Sequence, residues 1–148
     1  MQKSKMIAVV SDEHYSVNDF VIDWLEKHGY KAIVFGALKT HQDEPWVTAT
    51  AEAAQYISDG HADEGIFFCW SGTGSSMVAN RFPTIRAALC TDAETARAGR
   101  VWNHANVLVL SNRLLSQDLA KEILNAWFED YDHSKGAEQV MALASLDI

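Results

Sequence analysis

The sequence predicts an α/β fold in which a doubly wound parallel sheet lies between two layers of helices, within one domain. Short apolar segments rich in β-branched residues alternate with longer amphipathic segments along the chain. Such alternation is typical of a parallel sheet with right-handed helical crossovers, so we expect a three-layer α/β/α, Rossmann-like arrangement. The chain has 148 residues, a length at which a single domain buries a complete core.

The individual elements are predicted from the spacing of apolar residues. Apolar runs closed by polar residues or glycine are expected to form buried strands, at Met6 to Val10, Ala32 to Phe35, Gly65 to Cys69, Ile85 to Cys90 and Val107 to Leu110. Segments with one apolar face are expected to form helices, at Val17 to His28, Val47 to Ser58, Ser75 to Arg81, Thr91 to Trp102 and Ser116 to Tyr131. Ser116 is the expected N-cap of the last helix, and Gly29 the expected C-cap of the first.

Ligands bind sheets of this kind at the carboxyl ends of the strands. Ser11, Asp12, Ser71 and Ser111 end or follow predicted strands, so we expect them near one edge. The single domain is expected to cover residues 1–148, and its least patterned part is the tail from about residue 132. We expect this tail to fray or to dock on a partner subunit.

Charge and composition limit the classes of partner. The chain has 12 Lys and Arg against 20 Asp and Glu, a net charge of −8, which argues against nucleic acid because phosphate backbones require an excess of basic residues. No window approaches the roughly 20 apolar residues of a membrane span, and acidic residues interrupt the apolar start before signal-peptide length. We therefore expect a cytoplasmic protein that binds no membrane. The two cysteines form no zinc or disulfide pattern,.

A glycine-rich segment carries the clearest chemical signal. GIFFCWSGTGSSMVAN runs from a predicted strand through a loop, Gly72 to Gly74, into a helix that begins near Ser75. Glycine permits a tight turn and close approach of an anion to backbone amides, while the helix N-terminus adds partial positive charge. The loop is therefore expected to bind an oxyanion or phosphate. No Lys-Ser/Thr pair follows it, and Met77 stands where a dinucleotide fingerprint has its third glycine,.

Cys69 ends the strand immediately before this loop. Its thiolate is expected to be favoured by the helix N-terminus, which suits a proton-transferring base. The alternative is a buried cysteine that acts as a small apolar side chain, and the residues alone leave the two interpretations equal. Cys90, at the end of an ordinary apolar strand, fits the apolar interpretation better.

Several segments occur together in a known order and spacing: SDEH, GIFFCWSGTGSSMVAN, PTIRAALCTDAETAR, and WNHANVLVLSNR leading to EILNAW. In these segments the chain resembles the ribose-5-phosphate isomerase B and galactose-6-phosphate isomerase family over nearly its whole length. The resemblance implies an aldose–ketose isomerase that acts on a small sugar or sugar phosphate without a metal or other cofactor. It also implies a homodimer or a dimer of dimers, in which the neighbouring chain completes each active site.

The resemblance also implies roles for individual residues. Cys69 stands at the position of the base that moves a proton between C1 and C2, and Ser71 at that of a hydroxyl that assists at the substrate oxygens. An anion hole for the enediolate is implied at Gly72, Thr73, Gly74, Ser75 and Ser76. Asp12 and Asn103 stand at positions where family members contact substrate hydroxyls, and Arg113 stands at a position that helps to hold the phosphate. These roles agree with the chemistry, because proton abstraction beside a carbonyl needs one base and donors where oxygen charge develops.

The chain departs from the family pattern at the substrate's far end. Glu13 replaces a phosphate-binding histidine, with His14 displaced by one residue, and Trp102 stands where a histidine opens the furanose ring. His104 is then a candidate auxiliary acid or base. Lys135 is the only fixed cation of YDHSKGAEQV, where the family has phosphate-binding arginines.

Three hypotheses follow from these departures. The leading one is an isomerase that uses Cys69, with an unphosphorylated or acidic sugar as the alternative substrate and Trp70 and Trp102 as stacking surfaces for sugar C–H faces. The second is a non-catalytic sugar- or anion-binding module, which would bind ligands without turnover. The third is a small nucleotide-binding domain, against which the missing third glycine argues.

Overall fold

The computed structural model describes residues 5–146 and contains a five-stranded, entirely parallel sheet with the strand order β2-β1-β3-β5-β4. The strands are β1 (Met6–Ser11), β2 (Lys31–Gly36), β3 (Glu64–Cys69), β4 (Ala87–Leu89) and β5 (Val107–Ser111). The helices are α1 (Ser16–Lys27), α2 (Ala37–Thr40), α3 (Trp46–Ser58), α4 (Thr73–Ala79), α5 (Ala93–Asn103), α6 (Gln117–Trp127) and α7 (Ala137–Ala144).

Helices cover both faces of the sheet, because successive strand residues point to opposite sides. Ile7 and Val9 of β1 pack with α1, α5 and α6 in one core, whereas Ala8 and Val10 pack with α3 and α4 in the other. The predicted three-layer α/β/α fold in one domain is therefore confirmed. Both predicted caps are also present, since the Ser116 side chain accepts a bond from the Leu119 amide at 3.1 Å and Gly29 has a φ of +85°.

The structure differs from the predictions at the ends of several elements. The fourth strand is short because the Ile85 amide bonds to the Phe82 carbonyl in a turn, and the Arg86 amide bonds to the Asn106 side chain. The last predicted helix stops at Trp127, after which Phe128 stacks on Tyr30 with ring centroids 4.3 Å apart. Helix α2 was not predicted. The tail also forms a helix, α7, of which no residue is buried.

A charged network at the amino edge of the sheet joins the helices to β3. The buried Glu64 carboxylate accepts bonds from Lys5 Nζ at 2.9 Å and Trp127 Nε1 at 3.1 Å, and lies 3.1 Å from Arg100 Nη1. Arg100 also donates from Nε to the Trp127 carbonyl at 3.0 Å and from Nη1 to the Ala105 carbonyl at 2.8 Å. Every charge in this network is therefore compensated by hydrogen bonds, which is the condition for burying an ion pair.

We predict that Glu64→Ala lowers the free energy of unfolding by about 3 to 5 kcal/mol, because the buried Arg100 guanidinium loses its counter-charge. Urea denaturation measures the change. Asp23→Ala is the control, since it breaks an ion pair with Lys27 that is well exposed and that contributes little. A loss at Glu64 no larger than the loss at Asp23 would contradict the prediction.

Candidate active site

Cys69 lies at the carboxyl end of β3, at the start of the glycine-rich loop. Its side chain is buried, and its Sγ accepts a hydrogen bond from the Gly72 amide at an N–S distance of 3.1 Å. Gly72 has a φ of +83°, and a Cβ at this position would lie 2.5 Å from Leu89 Cδ1. The left-handed φ favours glycine here, whereas the contact with Leu89 involves only the end of a flexible side chain.

The loop leaves a set of backbone donors next to this sulfur. Thr73, Gly74 and Ser75 form the first turn of α4, where amides have no acceptor within the helix. The Ser71 and Thr73 hydroxyls bond to each other at 2.7 Å on the solvent side of the loop. The arrangement can hold an oxygen that carries partial negative charge near the thiol.

Two residues of the predicted anion hole have their polar groups engaged elsewhere. The fully buried Ser75 hydroxyl lies 3.4 Å from the Phe68 carbonyl oxygen and 3.4 Å from Thr50 Oγ1. The Ser76 amide donates to the Gly72 carbonyl at 3.1 Å and closes the first helical turn. The Ser75 side chain and the Ser76 amide therefore stabilise the loop instead of facing a ligand.

Trp46, the first residue of α3, packs against the loop at Gly74. A Cβ on Gly74 would lie 2.8 Å from Trp46 Cε3, although Gly74 has no left-handed φ. Glycine is needed here to make room for the indole. Trp70 is 57% exposed, and the Arg113 guanidinium lies 5.1 Å from its ring centroid, within the range of a cation–π contact.

The turn after β1 brings carboxylates to the same edge. One carboxylate oxygen of Asp12, Oδ1, is buried without a hydrogen-bond partner. Burial raises the pKa of Asp12, hydrogen bonds from the backbone amides of Asp12 and Glu13 oppose this rise, and the negative charge of Asp43 adds to it. The pKa of Tyr15 is raised by desolvation and then by the charges of Glu13 and Asp12. This side of the site is therefore acidic, and Asp12 has an unused acceptor atom.

His14 does not point into this acidic group. Its Nε2 contacts both carboxylate oxygens of Asp19, at 2.9 and 2.8 Å, and both side chains are exposed.

Trp102, Asn103 and His104 lie at the opposite edge of the sheet from Cys69. Helix α5 begins after the carboxyl end of β4 and ends before the amino end of β5, and its 11 residues span roughly 16 Å. Trp102 is 55% exposed, and His104 Nε2 donates to the Lys135 carbonyl at 2.7 Å. One chain therefore brings together Asp12, the loop after Cys69 and Arg113, but not the residues at the end of α5.

The sequence analysis missed Trp46, Asn18 and Asn112. Asn18 and Asn112 are buried, and their side chains are joined by a hydrogen bond of 2.9 Å. The backbone amide of Asn112 donates to the Cys69 carbonyl at 2.9 Å. One signal was available for Asn18, which is a polar residue on the apolar face of the first predicted helix. Nothing in the sequence pattern marks the other two residues.

Within residues 5–146, no helix has both the length and the apolar character to cross a bilayer. The same part of the chain contains no group of three or more His, Cys, Asp or Glu side chains arranged to hold a metal ion.

Comparison with known proteins identifies the family of the chain. The family model described as Ribose/Galactose Isomerase matches residues 7–143. The D-erythrulose-4-phosphate isomerase of Pectobacterium atrosepticum is 33% identical over 109 residues, which cover 74% of this chain and 72% of the relative. The 4-deoxy-4-sulfo-D-erythrose isomerase of a Clostridium species is 28% identical over 137 residues, covering 84% of this chain and 85% of the relative.

Solved structures show the same architecture. Ribose-5-phosphate isomerase B of Clostridium thermocellum superposes with a TM-score of 0.86 at 33% identity, covering 94% of this chain and 95% of that one. The fold, the motif segments and the family match therefore agree. The chain belongs to the Ribose/Galactose Isomerase family and is an aldose–ketose isomerase of the sugar-phosphate class.

Proposed function

We propose that Cys69 is the base that moves a proton between C1 and C2 of an open-chain sugar. The observation that carries this proposal is the position of the sulfur. Cys69 is the last residue of β3, and its Sγ accepts a hydrogen bond from the Gly72 amide at 3.1 Å. The Gly72 N–H holds the sulfur at the start of the loop, and the thiolate form of a cysteine is the one that accepts a proton. Family membership favours this hypothesis over a non-catalytic binding module or a nucleotide-binding domain.

The reaction needs no other reactant. The Cys69 thiolate removes the C2 proton of the aldose, the C1 carbonyl becomes an enediolate oxygen, and return of the proton to C1 gives the ketose. The amides of Thr73, Gly74 and Ser75 stabilise the oxygen charge that develops. The Ser71 hydroxyl assists transfer of the proton on O2 to O1, which leaves the carbonyl at C2 and a hydroxyl at C1.

Asp12 is proposed to bind a substrate hydroxyl. Its buried, unpartnered oxygen is an acceptor whose desolvation has already occurred in the free protein, so a substrate O–H restores a missing hydrogen bond. This contact also orients the carbon chain relative to Cys69.

We propose that the substrate is a four-carbon sugar with an anionic group on C4. An aldose closes a furanose ring through O4, so a tetrose that is phosphorylated on O4, or that carries a sulfonate in its place, remains open. Such a substrate requires no ring-opening acid. This fits Trp102, which stands where the family resemblance places a histidine, and His104, whose Nε2 is bonded to the Lys135 carbonyl. Two relatives whose names specify C4-substituted four-carbon sugars support the proposal.

A second copy of the chain is proposed to complete each site as a homodimer. Trp102 and Asn103 lie at the edge remote from Cys69 in their own chain, so another subunit must bring them to the loop. Helix α7 contributes to the same side of the molecule, and its Met141 is 74% exposed. A partner that covers this side would bury apolar surface and supply Lys135 to the substrate anion.

We predict that Cys69→Ala reduces solvent-deuterium incorporation at C1 and C2 by about 10²- to 10⁴-fold, the range usual for loss of a general base. NMR in deuterated buffer measures the rate. Cys90→Ala is the matched control and should keep the wild-type rate, because burial raises the pKa of the Cys90 thiol to about 12 and the group stays protonated at neutral pH. Retained exchange in Cys69→Ala would place the base elsewhere.

We predict that C4-substituted tetroses react with kcat/KM values about 10 to 100 times higher than those of pentose or hexose phosphates. One or two groups that fit poorly in a site usually lower kcat/KM by about this factor. The panel contains erythrose 4-phosphate, 4-deoxy-4-sulfoerythrose, free erythrose, ribose 5-phosphate and galactose 6-phosphate. The first two compounds separate phosphate from sulfonate, and free erythrose, which can close a ring through O4, tests the combined need for an anion and an open chain. Equal turnover of ribose 5-phosphate would contradict the open-chain proposal.

We predict that Cys69→Ala and Asn103→Ala complement each other. Each variant alone should be inactive, whereas the purified mixed dimer should have about one half of wild-type activity, because one of its two sites keeps both residues. Activity after tandem-tag purification of the mixed dimer is the measurement. Absence of recovery in a purified mixed dimer would show that both residues act within one chain.

A further inference from the structure

We propose that Asn112 and Asn18 are positioning residues that hold the Asp12 turn at a fixed distance from Cys69. This inference rests on the proposed roles of Cys69 and Asp12. Asn18 is fully buried, and 7% of Asn112 is exposed. Burying an uncharged polar side chain costs free energy unless it is hydrogen-bonded, so the hydrogen bonds of both residues must offset their loss of hydration.

The two asparagines belong to a chain of four hydrogen bonds that begins and ends in the same turn. The Tyr15 amide donates to Asn18 Oδ1 at 2.8 Å, and Asn18 Nδ2 donates to Asn112 Oδ1 at 2.9 Å. Asn112 Nδ2 donates to Ser11 Oγ at 3.1 Å, and the Ser11 hydroxyl donates to the Glu13 carbonyl. The turn that carries Asp12 and Glu13 is thereby closed through β5 and α1.

The direction of every bond in this chain is determined by its first donor. A backbone N–H can only donate, so the Tyr15 amide must face the oxygen of Asn18. The Asn18 amide nitrogen then faces Asn112, which presents its oxygen to Asn18 and its nitrogen to Ser11. Ser11 accepts this bond and has its own proton left for the Glu13 carbonyl. No amide in the chain can rotate by 180° without leaving two groups unpaired.

Asn112 connects this chain to the base. Its backbone amide donates to the Cys69 carbonyl at 2.9 Å, while its side chain bonds to Ser11. Asn112 therefore contacts both Cys69, the proposed base, and the turn that carries Asp12, the proposed ligand of a substrate hydroxyl. Because catalysis falls steeply with small errors in such distances, the role of Asn112 and Asn18 is to keep the substrate carbon within reach of the sulfur.

The test compares Asn112→Ala and Asn18→Ala with Asn106→Ala. Asn106 makes two similar bonds, from the Arg86 amide at 2.8 Å and to the Thr84 carbonyl at 2.9 Å, but at the other end of β5. The kcat, the KM and the deuterium-exchange rate are measured with the best substrate of the panel, and the Tm is measured for each variant. We expect kcat to fall about 10- to 100-fold in the Asn112 and Asn18 variants, with comparable losses of Tm in all three variants and unchanged kcat in Asn106→Ala.

Ser11→Ala keeps the test decisive if Asn112→Ala fails to fold, since it removes only the last link of the chain. We expect a similar loss of kcat, and the double variant Ser11→Ala/Asn112→Ala should lose less than the product of the two single effects. A kcat loss no larger than that of Asn106→Ala would overturn the positioning role. Failure of the proposed function is seen separately, because Cys69→Ala would then retain exchange whatever the asparagine variants do.

Discussion

The parallel register of β1, β3 and β5 is the constraint on which the site depends. Cys69 pairs with Ser111 and Phe68 pairs with Ser11, so three strands end together and present their following turns to one crevice. A one-residue slip of β3 would turn Cys69 to the opposite face and move the loop away from the first turn of α4. Ile66 and Phe68 pack in one core and Phe67 packs in the other, so a slip would place each of these side chains in the opposite core.

The sheet has one buried polar network at its amino edge and another at its carboxyl edge. At the amino edge, Glu64 and Arg100 are fully paired and join α5 and α6 to the sheet. At the carboxyl edge, the asparagine chain joins the turn after β1 to β5 and α1, and Oδ1 of Asp12 is buried without a hydrogen-bond partner. Buried polar groups are nearly always paired in folded proteins, and within residues 5–146 the two buried side-chain polar atoms without a partner are Asp12 Oδ1 and Trp24 Nε1.

The carboxyl edge of the sheet is acidic where the turn after β1 meets it. Glu13 and Asp12 concentrate negative charge beside Tyr15, which disfavours a second anion at this end of the crevice. On the same edge, the Arg113 guanidinium lies 5.1 Å from the Trp70 ring centroid and is a cation available for a terminal anion. The proposed four-carbon substrate stays open and needs no ring-opening acid, which is consistent with Trp102 at the position where the family resemblance implies a histidine.

The sequence by itself determined the alternation of strands and helices, the three-layer fold, and the position of Cys69 before a glycine loop, because these features follow from local periodicity and from glycine's conformational freedom. The tertiary structure alone decided that Trp46 covers Gly74, that the Ser75 hydroxyl faces the core, and that Trp102 lies at the far edge. It also decided the pairing of Asn112 with Asn18 and Ser11, which are 94 and 101 residues away in the chain. The physical reason is that such hydrogen bonds depend on how distant strand ends meet, and no local spacing of residue types encodes that meeting.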